Sequence, residues 1–331
     1  MNLISTTNGQ GLPRRHSRRG WLRALMKPAI LGLVTLAVCY PDPAALRRHV
    51  ARIRNMDAMI DPAAPDLSEL EREFRLRLSD DRGRRDREAA RADSVAASQE
   101  ESSSPADTFK AVERFILEKV QYEWDWNTWN VADYMPTVGE MAQRARDYSD
   151  GKMREDCDGR AVLAASLLRR MGYEAHLATD FGHVWVRAAG SDGVMRDLMG
   201  AGRVQGVESS ARGNRVHWSR AFSNVPLAAA YGISVFPWRR ELIVLVTLAL
   251  LLSHPRMSPK SFATGMALLV AGWLLLRTPV DYWNGRAGHS WAGFAYAAAG
   301  CLVLWWAGRR ARREEEAGRS GPQSGSAAAT D

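Results

Sequence analysis

Cysteine is scarce in this chain of 331 residues: there are three, and two of them, Cys39 and Cys301, sit in apolar runs. One thiol remains in the polar part, which excludes a disulfide framework and leaves the redox compartment open. Paired metal-ligand spacing is also missing, so no metal and no cofactor is expected. Large apolar residues are almost absent from Ser79 to Asp107. That stretch cannot bury a core and reads as a flexible linker. Charged residues are missing inside Leu242 to Ser253, Phe262 to Leu276 and Trp291 to Ala307, which gives no intramembrane ion path. Acid does not balance base, and the net charge is +8. Such an excess can signal nucleic acid, but many of the arginines cluster beside the hydrophobic runs, which is the pattern of membrane topology. No nucleic-acid partner is expected.

In chain order, residues 1–27 form a basic N-terminus, and residues 28–40 an apolar run that is short against the roughly 20 residues of a full span. It reads as an anchor helix or a signal-peptide core, with Ala37 and Cys39 as small residues at a site suited to cleavage; the uncleaved anchor is preferred. Residues 41–107 read as a solvated helical stalk and linker, with Leu67, Leu70, Phe74 and Leu78 on one helical face. A soluble domain is expected over residues 108–205 and a connector over 206–240. Three transmembrane helices follow over 241–308, then a basic and disordered tail over 309–331. Trp238, Trp291, Trp305 and Trp306 stand near run ends, as interfacial aromatics do. Four spans place both basic termini in the cytoplasm and residues 41–240 outside. The chain is expected to be embedded in a bacterial inner membrane.

The remaining cysteine, Cys157, lies in Glu155-Asp156-Cys157-Asp158-Gly159, just before apolar residues at helical spacing from Ala161 to Met171, with Gly172 at the stop. A helix N-terminus favours the thiolate, the nucleophilic form. The carboxylates of Glu155, Asp156 and Asp158 oppose it by like-charge repulsion. Downstream, Tyr173 to Ala178 reads as a strand, residues 179–182 as a turn, and His183 to Ala188 as a second strand. The turn Gly190-Ser191-Asp192-Gly193 reverses the chain into a third strand, Val194 to Leu198. Asp197 falls on that return strand, which is expected to bring it near His183. A thiol, a proton acceptor and a carboxylate to orient the imidazole suit nucleophilic catalysis. The bland alternatives are a small buried cysteine and a structural histidine. His176 and His217 are weaker bases by position, and Asp180 and Asp192 read as turn residues. The cluster Trp124, Trp126 and Trp129 lines either a core or a cleft.

Asp156-Cys157-Asp158-Gly159 opening a helix, His183-Val184-Trp185-Val186 on a strand and Asp197 on the next resemble the transglutaminase-like superfamily of papain-like cysteine enzymes. Upstream, Thr108 to Tyr122 is similar to the helix that opens that domain. Asp133 to Glu140 is similar to the segment preceding the cysteine in bacterial members. The resemblance covers roughly Thr108 to Met199. It implies an α+β fold, with a helix carrying the cysteine packed on an antiparallel sheet, joined here to transmembrane helices. It also implies Cys157, His183 and Asp197 as a catalytic triad. The expected activity is that of a cysteine peptidase, amidase or transglutaminase-type acyl transferase on protein or peptide substrates. The alternative is a catalytically inactive scaffold or binding module of the cell envelope. The oligomeric state is left open.

Overall fold

The computed structural model describes residues 18–91, 104–200 and 202–319. Helix α1 (Arg18–Cys39) leads into α2 (Pro43–Arg54), a 3-10 turn (Met56–Met59) and α3 (Leu67–Arg91); α4 (Pro105–Lys119) and the short strand β1 (Val120–Tyr122) come next. After α5 (Asp125–Thr128), α6 (Val138–Asp147) and β2 (Met153–Glu155) comes α7 (Cys157–Arg170), followed by strands β3 (Glu174–Thr179), β4 (Val184–Ala189), β5 (Met195–Leu198), β6 (Val207–Glu208) and β7 (Arg215–Val216). The chain closes with α8 (Trp218–Val235), α9 (Trp238–Leu252), α10 (Pro259–Leu276) and α11 (Ser290–Arg319). Strands β3 to β7 form an antiparallel sheet in the order β5-β4-β3-β6-β7, while β1 and β2 pair in parallel apart from it. The fold is mixed α+β, with eleven α-helices among the described residues.

Helix α7 is the centre of the core. Its residues from Ala161 to Leu168 are all buried, because it is enclosed by β3 and β4 on one side and by α3, α4 and α6 on others. Alanine at 161, 164 and 165 lets the neighbouring elements come close, and Leu163, Leu167 and Leu168 fill the space between them. The helix starts where the Asp156 carboxylate accepts the N–H of Asp158. It stops at Gly172, whose φ of +89° is a left-handed exit, with Tyr173 N–H closing back on the Leu168 carbonyl.

Five expectations change. The helix expected over Thr108 to Tyr122 ends at Lys119, and Tyr122 lies instead in β1, paired with Glu155. The expected stalk is not solvated: Met56, Leu67 and Phe74 are buried in the same core as α7. Its apolar face is covered by α4 and α7. Part of the expected linker continues α3 to Arg91, and its residues 92–103 lie outside the described residues. The expected connector completes the domain, since β6 and β7 extend the sheet beyond β3 and α8 follows them. The tail is helical as far as Arg319, and residues 1–17 and 320–331 are outside the described residues.

Two helices, α10 and α11, are long and apolar enough to cross a membrane by length and composition; α1 makes a third only when taken together with α2 across a bend of 87°. Helix α9, at 15 residues, is shorter than a full span, although it packs on both α1 and α11. The pair α10 and α11 is held by facing glycines. A Cβ at Gly272 would stand 2.4 Å from the Ala297 nitrogen, and one at Gly300 would stand 2.7 Å from the Leu269 nitrogen. The helices therefore approach backbone to backbone.

The packing of α3 is open to test. Phe74 is 2% exposed and stacks edge-on against Phe115 at 5.4 Å. Phe74→Ala is expected to cost about 3–5 kcal/mol in denaturant unfolding of the solubilised chain. Leu76→Ala, on the exposed face of the same helix, should stay within about 0.5 kcal/mol. Equal and small effects would mean that α3 is a stalk after all.

Candidate active site

Cys157 is the first residue of α7, and α7 packs on β3 and β4. That packing sets the cysteine near the hairpin that carries His183. Both side chains line one cavity of about 760 Å³. The His183 ring is held from behind: Nε2 lies 3.1 Å from the Met199 carbonyl and 2.8 Å from that of Gly200. Carbonyls only accept, so Nε2 carries the proton and Nδ1 is the basic nitrogen. The two carbonyls converge because Met199 and Gly200 take φ of +69° and +78° in succession. Glu113 of α4 fixes the bend by accepting the Met199 N–H at 2.7 Å.

Asp197 does not hydrogen-bond to His183. The β4–β5 register pairs it with Arg187, four residues along the strand from His183, or about 13 Å at 3.3 Å per residue. Its carboxylate accepts the Trp185 indole N–H at 3.1 Å and lies 3.3 Å from Arg187 Nε. Trp185 in turn lies parallel to the His183 ring at 6.3 Å. The expected orienting carboxylate thus reaches the histidine only through the tryptophan. Trp283, from the loop joining α10 and α11, meets the His183 ring edge-on at 4.7 Å. Of the tryptophan cluster, Trp124 and Trp126 line the cavity, whereas Trp129 donates its indole N–H to Glu155.

Asp180, read from sequence as a turn residue, is the buried anchor of this hairpin. It accepts the N–H groups of Gly182, His183 and Arg203 and the hydroxyl of Tyr282. Sequence reasoning passed over it, together with Tyr282, Trp283 and the carbonyls of Met199 and Gly200. The carbonyls leave no side-chain signal. Gly182 does leave one, since a Cβ there would strike the Tyr282 ring at 2.6 Å.

The electrostatics at Cys157 oppose the helix N-terminus. Burial first, then the Asp156 carboxylate, push the thiol well above the usual range. Burial lowers His183. Thiol and imidazole therefore rest as a neutral pair. Around them, burial and mutual repulsion raise Asp125, Asp156 and Asp158, with Asp156 at about 6; burial raises Glu155 against the pull of Trp129. The Asp156 carboxylate accepts the Asp158 backbone N–H, and its charge beside the buried Asp158 carboxyl raises that group further. Gly159 makes room for this crowding, because a Cβ there would stand 2.6 Å from the Glu155 carboxylate. One oxygen each of Asp125, Asp133 and Asp158 lies within 4.8 Å of the others, and the buried Asp125 Oδ1 has no hydrogen-bond partner. A hard cation with oxygen ligands is the kind of ion those residues could hold.

No family model, no curated protein and no solved structure matches the chain.

The raised carboxyls make stability depend on pH with a definite sign. A carboxyl whose folded value lies above its unfolded one stabilises the fold at low pH and loses that contribution as pH rises through the folded value. Asp156, moved from 3.8 to about 6, supplies on the order of 3 kcal/mol of this dependence. His49 and His183, both lowered by burial, pull the opposite way below pH 6.5. The comparison is therefore with Asp158→Asn, which leaves both histidines in place. The variant should unfold at a higher temperature than the wild type at pH 8, with a shallower decline from pH 5. Parallel curves would mean that the acid cluster is not buried.

Proposed function

We propose that the chain is a membrane-anchored, transglutaminase-like cysteine enzyme of the papain-like kind that acts on carboxamide or peptide carbonyls. The observation that carries this reading is the pinned imidazole. With Nε2–H held by the carbonyls of Met199 and Gly200, Nδ1 is the basic nitrogen of a ring that shares its cavity with the Cys157 sulfur. Cys157 is the nucleophile and His183 the base. Asp197 serves as a positioning residue, holding Trp185 against the ring.

From a neutral resting pair, the thiol gives its proton to Nδ1 as the sulfur attacks the carbonyl carbon. The same proton then leaves with the amine. First-turn N–H groups of α7 supply positive potential where the oxyanion develops. Water as second acceptor makes the enzyme an amidase or peptidase, and an amine makes it a transamidase. A second reading, a non-catalytic envelope scaffold, draws on the raised thiol pKa alone.

The four-span arrangement belongs to the same proposal, with both termini in the cytoplasm of a bacterial cell and the domain outside the inner membrane. Supporting it, Tyr282 and Trp283, from the loop between α10 and α11, pack on the domain, so that loop and the domain share one side.

Iodoacetamide labelling of Cys157 across pH tests the enzyme reading. Assistance by His183 should make labelling near neutrality at least tenfold faster than in His183→Ala. The wild-type rate should rise through a value below 6.5, as expected for an imidazole lowered by burial. Slow labelling indifferent to His183 would leave the scaffold.

A further inference from the structure

The cavity that holds Cys157 and His183 does not end in the soluble domain. It runs past Ala228 and Tyr231 of α8 to Val244 and Leu245 of α9, Leu269 and Leu276 of α10 and Ala297 of α11, so one continuous space joins the thiol to the two helices fit to cross a membrane. Its polar groups are unevenly placed. Asp133, Asp156, Asp158 and His49 lie with Cys157 and His183 at one end. The acidic side chain that lines the helical part, Glu241, accepts from Trp273 Nε1 and Arg277 Nη1 through Oε2, each at 2.7 Å, which leaves its buried Oε1 as a single unpartnered acceptor.

We propose that this cavity takes the long acyl chain of a fatty amide drawn from the bilayer, with the amide carbonyl at Cys157. The inference rests on the cysteine-enzyme reading of the same site and narrows its substrate class. An extended peptide would carry an N–H and a C=O at each residue into walls of leucine, valine and alanine, where those groups lose water and find no partner. A hydrocarbon chain carries neither group, and each methylene moved out of water favours binding by about fourfold. The volume of about 760 Å³ falls in the range of roughly 300–1,000 Å³ that suits a small-molecule ligand.

The chemistry balances. The Cys157 sulfur bonds to the carbonyl carbon while its proton passes to His183 Nδ1. The C–N bond breaks, that proton leaves with the amine, and the acyl chain remains as a thioester in the cavity. Water then attacks the same carbon and gives one proton to His183. The C–S bond breaks, the sulfur regains that proton, and a fatty acid is released.

The test uses the full chain in detergent and a series of 2-bromoalkanamides from 3 to 16 carbons, which share one reactive centre. Mass spectrometry reads Cys157 labelling relative to Cys301. Cys301 lies on α11 and is absent from the cavity lining, so the ratio cancels partition into the micelle. The ratio is expected to rise at least tenfold along the series. Leu245→Trp, which fills the cavity, should flatten the rise, while Leu250→Trp, at a position 71% exposed on the same helix, should keep it. A flat or falling ratio alongside His183-dependent iodoacetamide labelling would overturn the acyl-chain inference and leave the enzyme reading intact. Occupation is also read without the nucleophile: in Cys157→Ala, which cannot cleave it, hexadecanamide should protect Cys39, a lining residue, and not Cys301 from a maleimide. Failure of that protection would overturn the proposal even where Cys157 is inert.

Discussion

One fully buried carboxylate, Asp180, is the constraint on which the site depends. No cation pairs with it among the described residues. Instead it is satisfied by three backbone N–H groups and the Tyr282 hydroxyl, at 2.5 to 3.1 Å. A charge taken out of water is tolerated only when its oxygens are so engaged. Each donor comes from a different requirement of the site: Gly182 and His183 from the β3–β4 turn, Arg203 from the segment after the carbonyls that hold the histidine, and Tyr282 from the loop between α10 and α11. Asn224 of α8 closes the ring of contacts by donating to the Asp180 carbonyl and the Tyr282 hydroxyl. One residue therefore ties the turn that carries the imidazole to α8 and to the loop between α10 and α11.

The opposite end of the site is governed by charge that is not compensated. Asp125, Glu155, Asp156 and Asp158 are all buried within a few residues of the thiol or against it. The nearest cations have other partners as well: Arg160 donates to the Val120 carbonyl and Arg144 to that of Thr128. Like charges at this density keep one another protonated, and they keep the sulfur protonated too. The field of the helix N-terminus acts in the opposite direction but falls off within a turn. At Cys157, burial and near carboxylates outweigh it. The thiol therefore rests protonated, and the proposed attack needs a base.

The parts of this arrangement that are written in side-chain periodicity were legible beforehand. The helix carrying Cys157, the turn before His183 and the return strand with Asp197 all lie where apolar spacing and glycine placed them, to within four residues. Asp197 itself was misread, because strand order alone does not give register. The observed pairing with Arg187 moves the carboxylate away from the histidine. The group that holds the ring is main chain, at two residues with positive φ, and a backbone carbonyl has no letter in a sequence. The stalk was misread for a different reason. The apolar residues Leu67 and Phe74 lie in a segment dense with arginine and glutamate, and those charges pair along the exposed face, Arg75 with Glu71 and Arg77 with Glu73, leaving the buried face free to pack.

The cavity joins these strands of argument. A neutral thiol and a neutral imidazole rest without a desolvation penalty in an apolar site, whereas the ion pair that proton transfer between them would create is disfavoured there. A wall of leucine, valine, alanine and tryptophan around them therefore suits the resting state that the acid cluster enforces. In the proposed reaction charge then appears only when a carbonyl is under attack, next to the first turn of α7, where the helix field is of the favourable sign. The acidic residues that keep the sulfur protonated and the apolar walls that disfavour an ion pair support the same order of events for the proposed enzyme, in which substrate binds first and proton transfer follows.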